Sequence, residues 1–406
     1  MISKLLVKLA WQSLCFRRGA VLITAAAIAV SVFTLLSVEH LRQTAKQSFN
    51  STVSGVDLIV GPRTGDINLL LTTVFRIGQP SQNMSWKSYQ YLSHHPRVSW
   101  TIPISLGDSH KGFRVVGTAQ SFFTHFQYGK SRKLAFAQGN TFADVYDVVL
   151  GSSVASQLGY KQGQGLVIAH GIAQTSFQTH DAFPFRVSGV LKPTGTPVDN
   201  ALYVSLAGLE AVHLPPASHG KATDVTHLEP SSISATMVGL TSKMSTFSVQ
   251  REINTSLDEP LTAILPGVTL TQLWQMSNGV EAIFTLMAKL ILAASLLGLS
   301  AVMVATLRER NYEFSVLRTL GAGSCIVFAL IQIEALLTSL FGILLGGAIF
   351  LLAIIGFDDA LMKYGIDIGV SQISSVHALV VLYVILGALI VSAFPALTGY
   401  LRTRKL

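Results

Sequence analysis

Four long apolar stretches constrain this chain more than any other feature. Ala20–Val38, Leu290–Leu307 and Ala378–Ala396 carry no charge, and Ile326–Ile355 carries only Glu334. At about 1.5 Å per helical residue, about 20 residues cross the roughly 30 Å core of a bilayer. In lipid the backbone must satisfy its own hydrogen bonds, so each stretch is read as a helix. The second helix is expected to begin near Val280, with Glu281 and Lys289 close to its outer end. A cleaved signal peptide would have an apolar region of about 7–15 residues and a small-residue cleavage site. The first stretch is longer and runs into Val38-Glu39-His40-Leu41-Arg42, so it is read as a retained anchor.

Only 12% of the 406 residues are charged and 50% are hydrophobic. A soluble chain would carry about one quarter charged residues. The net charge of +8 sits largely beside the apolar stretches, so it is assigned to the membrane and not to nucleic acid. Lys4, Lys8, Arg17 and Arg18 precede the first stretch, Arg308, Arg310 and Arg318 follow the second, and Arg402, Arg404 and Lys405 follow the last. Basic residues favour the cytoplasmic side, which places both termini and the Arg308 loop inside. The segment from about Leu41 to Gln275 then lies outside. Residues 1–19 put Ile2, Leu5, Leu6, Leu9, Ala10 and Leu14 on one side of a helical wheel, an amphipathic helix for the inner leaflet. Cys15 and Cys325 both fall inside, so the external segment folds without a disulfide or a thiolate metal site.

That external segment reads differently. Short β-rich runs (Val56–Val60, Phe113–Val116, Val148–Leu150, Phe185–Leu191, Ala201–Val204, Ser234–Leu240) alternate with helical ones (Trp86–Ser93, Ser152–Leu158, Lys243–Leu257). This pattern implies an α+β domain with an inserted β-rich lobe. Val56–Val60, the Trp86 helix and Val98–Ile104 look like one half of a split βαβ sheet and Ser234–Leu240, a helix and Leu261–Leu265 like the other, a pseudo-repeat or a coincidence between two common βαβ units.

No nucleotide-binding or hydrolytic motif is present. Gly129-Lys130-Ser131 ends like a phosphate loop, but Thr124 stands where its first glycine belongs. His213, His219, Asp224 and His227 cluster in a Pro/Gly/Ser-rich loop. Imidazole suits zinc or copper, but the spacing is irregular and matches no defined motif, which favours solvated loop histidines. Lys289 and Glu334 are ionisable groups in apolar helices. Gly342-x-x-x-Gly346 permits close helix packing. Ala25, Ala26, Ala29 and Ser31 form a small-residue surface on the first span, expected to pack two copies together.

The stretch after the second span, Arg308-Glu-Arg-Asn-Tyr-Glu-Phe-Ser-Val-Leu-Arg-Thr-Leu-Gly-Ala322, resembles the cytoplasmic signature of the MacB/FtsX/LolC-LolE permeases of ABC transporters. Val56-Asp-Leu-Ile-Val-Gly-Pro62, Val148-Val-Leu-Gly-Ser-Ser153, Phe185-Arg-Val-Ser-Gly-Val-Leu191 and Thr194-Gly-Thr-Pro-Val-Asp199 resemble that family's periplasmic core domain. The resemblance implies spans at 20–40, 276–307, 325–355 and 378–399, a periplasmic loop at 356–377 and a cytoplasmic tail at 400–406. It implies a periplasmic domain at 41–275, porter-like over 50–114 and 198–275 and sabre-like over 115–197. Residues 308–324 would form a coupling helix that docks on a separate ABC ATPase through Arg310, Tyr312, Glu313, Phe314, Leu317 and Arg318. ATP and Mg2+ would belong to that ATPase, and this chain would hold no cofactor and perform no catalysis. A second permease copy, identical or related, would complete a dimer in the bacterial inner membrane, with a periplasmic adaptor or binding protein as a further partner. Two other functions fit the sequence: FtsX-like signalling to an envelope enzyme, and a metal-related envelope role for the histidines.

Overall fold

The apolar stretches fold as long helices and the alternating middle of the chain folds as sheet. The computed structural model describes residues 2–52, 54–129, 131–170, 184–213, 228–256, 258–309, 312, 313, 316, 319, 322–362 and 373–405. In chain order the main elements are α1 (Ile2–Phe16), α2 (Arg18–Thr52), β1 (Leu58–Pro62), α3 (Trp86–Ser93), β2 (Val98–His110), β3 (Phe113–Thr118), β4 (Phe136–Gly139), β5 (Asp147–Leu150), β6 (Phe185–Leu191), β7 (Ala201–Ser205), α4 (Leu206–His213), β8 (Ala235–Leu240), α5 (Thr246–Thr255), β9 (Leu261–Ile264), α6 (Pro266–Glu309), α7 (Ser324–Met362) and α8 (Ser375–Lys405). They divide into two compact units: a helical one, Met1–Thr44 with Asn278–Asp359 and Ile368–Leu406, and a second whose main part is Ala45–Ser277.

Among the described residues, four helices are long and apolar enough to cross a membrane, over Arg18–Gln47, Pro266–Ala305, Ser324–Phe357 and Ser375–Thr398. Their shared interior is made by Ile28, Val32 and Leu36 of α2, Leu296 and Leu299 of α6, Ile331 and Ile343 of α7, and Val384 of α8. Leucines such as Leu290, Leu344 and Leu352 remain exposed, as suits a surface facing lipid chains. The helices outrun the apolar stretches that announce them. α6 starts at Pro266, well before Val280. Proline is pre-organised for a first helical position, and Leu270, Leu273 and Trp274 then bury against the sheet core. α8 continues through Pro395 to Lys405 instead of ending near it.

The second unit is built on an 11-stranded sheet whose main path runs β9-β1-β8-β2-β3-β7-β5-β6-β4. The pairs from β9 to β3 are antiparallel, whereas β3–β7 and β5–β6 are parallel. The two βαβ units are present and interlocked. β1 and β2 flank β8, joined through α3, while β8 and β9 flank β1, joined through α5. β1 reads as an unbroken apolar run because both its faces are covered. Leu58 and Val60 pack with Leu92 of α3 and Val249 and Ile253 of α5, and Ile59 points into the core on the other side. The inserted lobe repeats the device, with Val148, Leu150, Leu202 and Val204 on one face and Val149 and Tyr203 on the other.

β2 joins the lobes. Its first part, Val98–Ile104, pairs with β8, and its second, Ser105–His110, pairs with β3 across a register shift between Leu106 and Ser109. The two lobes therefore share one continuous sheet, and β7, at 201–205 and so beyond the expected 115–197 insertion, belongs to the inserted lobe because it pairs with β3 and β5. Lys111 (φ 48°) and Gly112 (φ 87°) close the β2–β3 hairpin. Positive φ at both loop positions matches the twist of the flanking strands.

Candidate functional site

The expected coupling segment lies between α6 and α7. Arg310, Phe314, Leu317 and Arg318 lie outside the described residues. Tyr312, Glu313, Val316 and Thr319 are helical. Tyr312 is 81% exposed and Val316 is 40% exposed. Four residues apart, they share one helical face. Glu313 is exposed beside them.

The small residues of α2 have partners inside the chain. Ala25 and Ala29 are buried where Gly342 and Gly346 of α7 approach the α2 backbone. The Ser31 hydroxyl lies 3.0 Å from that of Ser295 on α6. Of the four residues expected at a dimer interface, only Ala26 is turned outward, alongside exposed Leu22 and Val30. Among the ionisable residues in the spans, Lys289 is exposed on α6 and does not enter the bundle interior.

Within the helical unit, a polar cluster missed in the sequence gathers around α2, α6 and the start of α8. Arg42 donates two hydrogen bonds to Glu39, at 2.7 and 3.1 Å, and lies 3.8 Å from Glu281. Gln43 also donates to Glu39 and accepts from the Ser374 hydroxyl at 2.7 Å. Beside this network, His40 of α2 and His377 of α8 are buried with their ring centroids 5.3 Å apart. Phe350 of α7 closes the triangle at 5.5 and 5.9 Å. The backbone N–H of Ser374 donates to Nδ1 of His377 at 3.2 Å.

In the sheet unit, His213 ends α4, and both its ring nitrogens serve the fold. Nδ1 meets the Leu209 carbonyl at 2.6 Å, and Nε2 meets the buried Asp108 carboxylate at 3.4 Å. Asp108 holds the His213 imidazole above its ordinary pKa. His219, Asp224 and His227 lie outside the described residues, and the described residues contain no group of three or more His, Cys, Asp or Glu placed to hold a metal. His110 is opposite in character. It contacts the Val167 carbonyl at 2.6 Å and the Tyr160 hydroxyl at 3.1 Å, and burial pushes its pKa down.

Two further arrangements bind the sheet unit together. A π-helical turn, Leu71–Phe75, delivers Arg76 in a left-handed conformation (φ 57°). Its guanidinium lies over the Tyr203 ring and donates to the hydroxyl at 2.8 Å, and that hydroxyl donates to the Val198 carbonyl at 3.1 Å. Burial raises the Tyr203 pKa, so the phenol stays neutral. Asp199 accepts from the backbone N–H groups of Thr194 and Gly195, and burial keeps its carboxyl above the ordinary range. Gly151 stands so close that a Cβ there would lie 2.4 Å from the Asp199 carbonyl oxygen. The Val148–Ser153 and Thr194–Asp199 motifs, distant in sequence, thus meet at one point.

A cleft of about 580 Å³ opens between α3 and α5, lined by Ser85, Lys87, Tyr91, His95, Glu252 and Glu259 among others. Two of its acids, Glu259 and Glu252, are committed to the fold. Burial pushes the Glu259 carboxyl up, but donation from Ser85 and Ser88 outweighs it and holds the group below the ordinary range. Glu252 accepts from His95 at 3.2 Å.

The comparisons divide at the same places as the fold. A model of the MacB-like periplasmic core domain matches residues 21–256, and a model of the FtsX-like permease C-terminal region matches residues 285–406. The periplasmic region of MacB from Actinobacillus actinomycetemcomitans is 14% identical, covers 55% of this chain and 94% of its own, and has a TM-score of 0.36. The extracellular domain of the noncanonic ABC-type transporter YknZ from Gram-positive bacteria is 15% identical, covers 52% of this chain and 98% of its own, and has a TM-score of 0.31. No curated protein matches the chain. The family models, one over the sheet unit and the helix before it and one over the last three long helices, carry the assignment: the chain belongs to the MacB/FtsX-type family of ABC-transporter permeases, multi-pass membrane proteins with a periplasmic domain.

Proposed function

We propose that this permease turns ATP hydrolysis by a separate ATPase into mechanical movement of its periplasmic domain. The domain acts on a periplasmic or membrane-associated substrate, by export, extraction or lipoprotein-type handling. The chain works as a dimer in the bacterial inner membrane with both termini in the cytoplasm, and ATP and Mg2+ belong to the ATPase.

The observation that carries this reading is the exposure of Tyr312 and Val316 on one face of a short helical segment between α6 and α7. Apolar side chains held on a polar loop favour a partner surface. Burying Tyr312, Phe314 and Leu317 there would contribute about 1.5–3 kcal/mol each before the costs of association. Arg310, Arg318 and Glu313 would set the register at the rim.

Co-purification of the ATPase in detergent tests the proposal. Tyr312→Asp, Phe314→Asp and Leu317→Asp should each lose the ATPase while the protein still inserts and folds. Glu313→Lys should weaken binding less, because a rim charge acts mainly on the rate of association. Retention of the ATPase by all three aspartate variants would overturn the coupling model.

A further inference from the structure

Helix α1 precedes the first span and lies outside both family matches, which begin at residues 21 and 285. The sequence places its apolar stripe against the inner leaflet. In the structure that stripe turns inward: Ala10 is fully buried, and Leu6, Leu9 and Leu14 are half-buried. The opposite side is exposed, and it is not a plain polar face. Lys4, Val7, Lys8 and Trp11 lie on it together, at the i, i+3, i+4 and i+7 spacing of one helical face. Trp11 is 60% exposed, and Phe16 at the end of the helix is 90% exposed.

We propose that this outward face of α1 is a binding site for anionic phospholipids. Lys4, Lys8 and Arg18 hold the headgroup phosphates, and Trp11 and Val7 rest on the upper part of the acyl chains.

Charge, side-chain chemistry and chain continuity agree on this occupant. The first acid in the sequence is Glu39, and Lys4, Lys8 and Arg18 are exposed with no carboxylate partner among the described residues. The Arg18 Nε–H donates to the Cys15 carbonyl at 3.0 Å, which holds the guanidinium at the end of α1 and leaves its charge uncompensated. Lysines alone would suit water. An exposed indole between them does not, because its ring is apolar and its N–H seeks a polar partner, a combination met at the boundary of headgroups and acyl chains. Arg17 alone separates α1 from α2, whose apolar part is a span, so the face starts at the membrane surface. A zwitterionic headgroup brings its own cation, whereas an anionic one leaves its phosphate to the protein. Each lysine at such a surface favours the anionic lipid by about fivefold. The site needs neither the ATPase nor the coupling segment, so it stands or falls apart from the coupling model.

The test uses the full chain in phosphatidylcholine nanodiscs. Of the four tryptophans, Trp11 belongs to the helical unit, and Trp86, Trp100 and Trp274 belong to the sheet unit. The emission of Trp11 is the difference between the parent chain and Trp11→Phe, and brominated acyl chains quench it on contact. Brominated phosphatidylglycerol, as a minor component, should quench Trp11 about fivefold or more above brominated phosphatidylcholine in the same proportion. The double variant Lys4→Gln/Lys8→Gln should bring the two lipids close to equal quenching. Lys4→Arg/Lys8→Arg should keep the preference, and added salt should weaken it. Equal quenching by both lipids in the parent chain, or a full preference that survives Lys4→Gln/Lys8→Gln, would overturn the proposal. Quenching by neither lipid would mean that a second copy or another protein surface covers this face, and would overturn it as well.

Discussion

A methyl group at Gly346 would come within 2.5 Å of the Ala29 carbonyl oxygen, whereas one at neighbouring Gly347 would meet nothing within 4 Å. Replacing Gly346 by leucine should therefore force α2 and α7 apart, at an overpacking cost of about 1–3 kcal/mol or more. Thermal unfolding of the full chain in detergent should show a clear fall for Gly346→Leu and little change for Gly347→Leu. Equal falls would mean that the packing assigned to this face is wrong. The glycine spacing was legible in the sequence as a close-packing signal, but its partner was not. Nothing local in Ala25 or Ala29 tells whether they face a neighbouring helix of the same chain or a second copy. The histidines show the same limit. His213 stood out by its place in a histidine-rich stretch, yet its partner, Asp108, is on β2, far away in sequence. The raised His213 pKa gives a sign: the stability it supplies is fully present below the ordinary histidine pKa and is lost as pH rises through the raised value. His110, lowered by burial, acts in reverse, its contribution being lost as pH falls from the ordinary value through the lowered one. His213→Gln should thus loosen the end of β2 more at pH 6 than at pH 8. The effect is about 0.5 kcal/mol once solvent screening of the partly exposed ring is allowed for. Hydrogen–deuterium exchange of peptides carrying Asp108 checks it, and an equal effect at both pH values would rule the ion pair out.

At the scale of elements, α2 presents two different faces. Ala25, Ala29 and Ser31 look into the chain, while Leu22, Ala26 and Val30 look away from it at a spacing of four. If two copies meet along α2, cysteine at Ala26 should cross-link them and cysteine at Ala25 or Ala29 should not. Efficient cross-links at Ala25 would require the contacts with α7 to open first. The types of the long elements were legible because an uncharged run of helical length has few alternatives in a bilayer. Their ends were not. α6 begins at Pro266 because Leu270, Leu273 and Trp274 find a sheet core to bury in, and no periodicity in the run itself announces that surface. The strands of the two βαβ units could be read from their apolar runs. β2 could not be read to its full length, because its second part, Ser105–His110, is polar and is held as strand by pairing with β3.

For the molecule as a whole, the charge asymmetry makes the clearest statement. Tags at Ser131 and Ser218 should react with reagents that cannot cross the membrane, and tags at Ser324 and after Leu406 should react only once the membrane is opened. Labelling of Ser131 from the cytoplasm would reverse the orientation and remove the basis for the ATPase partner. The sharing of β2 by both lobes also sets the limits of modularity. A protein engineer, or a lineage losing the inserted lobe, could excise the chain between β2 and β8 and still close the interlocked βαβ core. Such a deletion would strip Ser105–His110 of its pairing with β3, and Asp108 and Ser109 also of their pairing with Ala169–His170, leaving backbone donors and acceptors bare. An unprotected strand edge of that kind recruits other strands. The lobe can therefore be exchanged only together with the outer half of β2, or with a replacement that covers it, and a clean excision would give an aggregating protein instead of a smaller one.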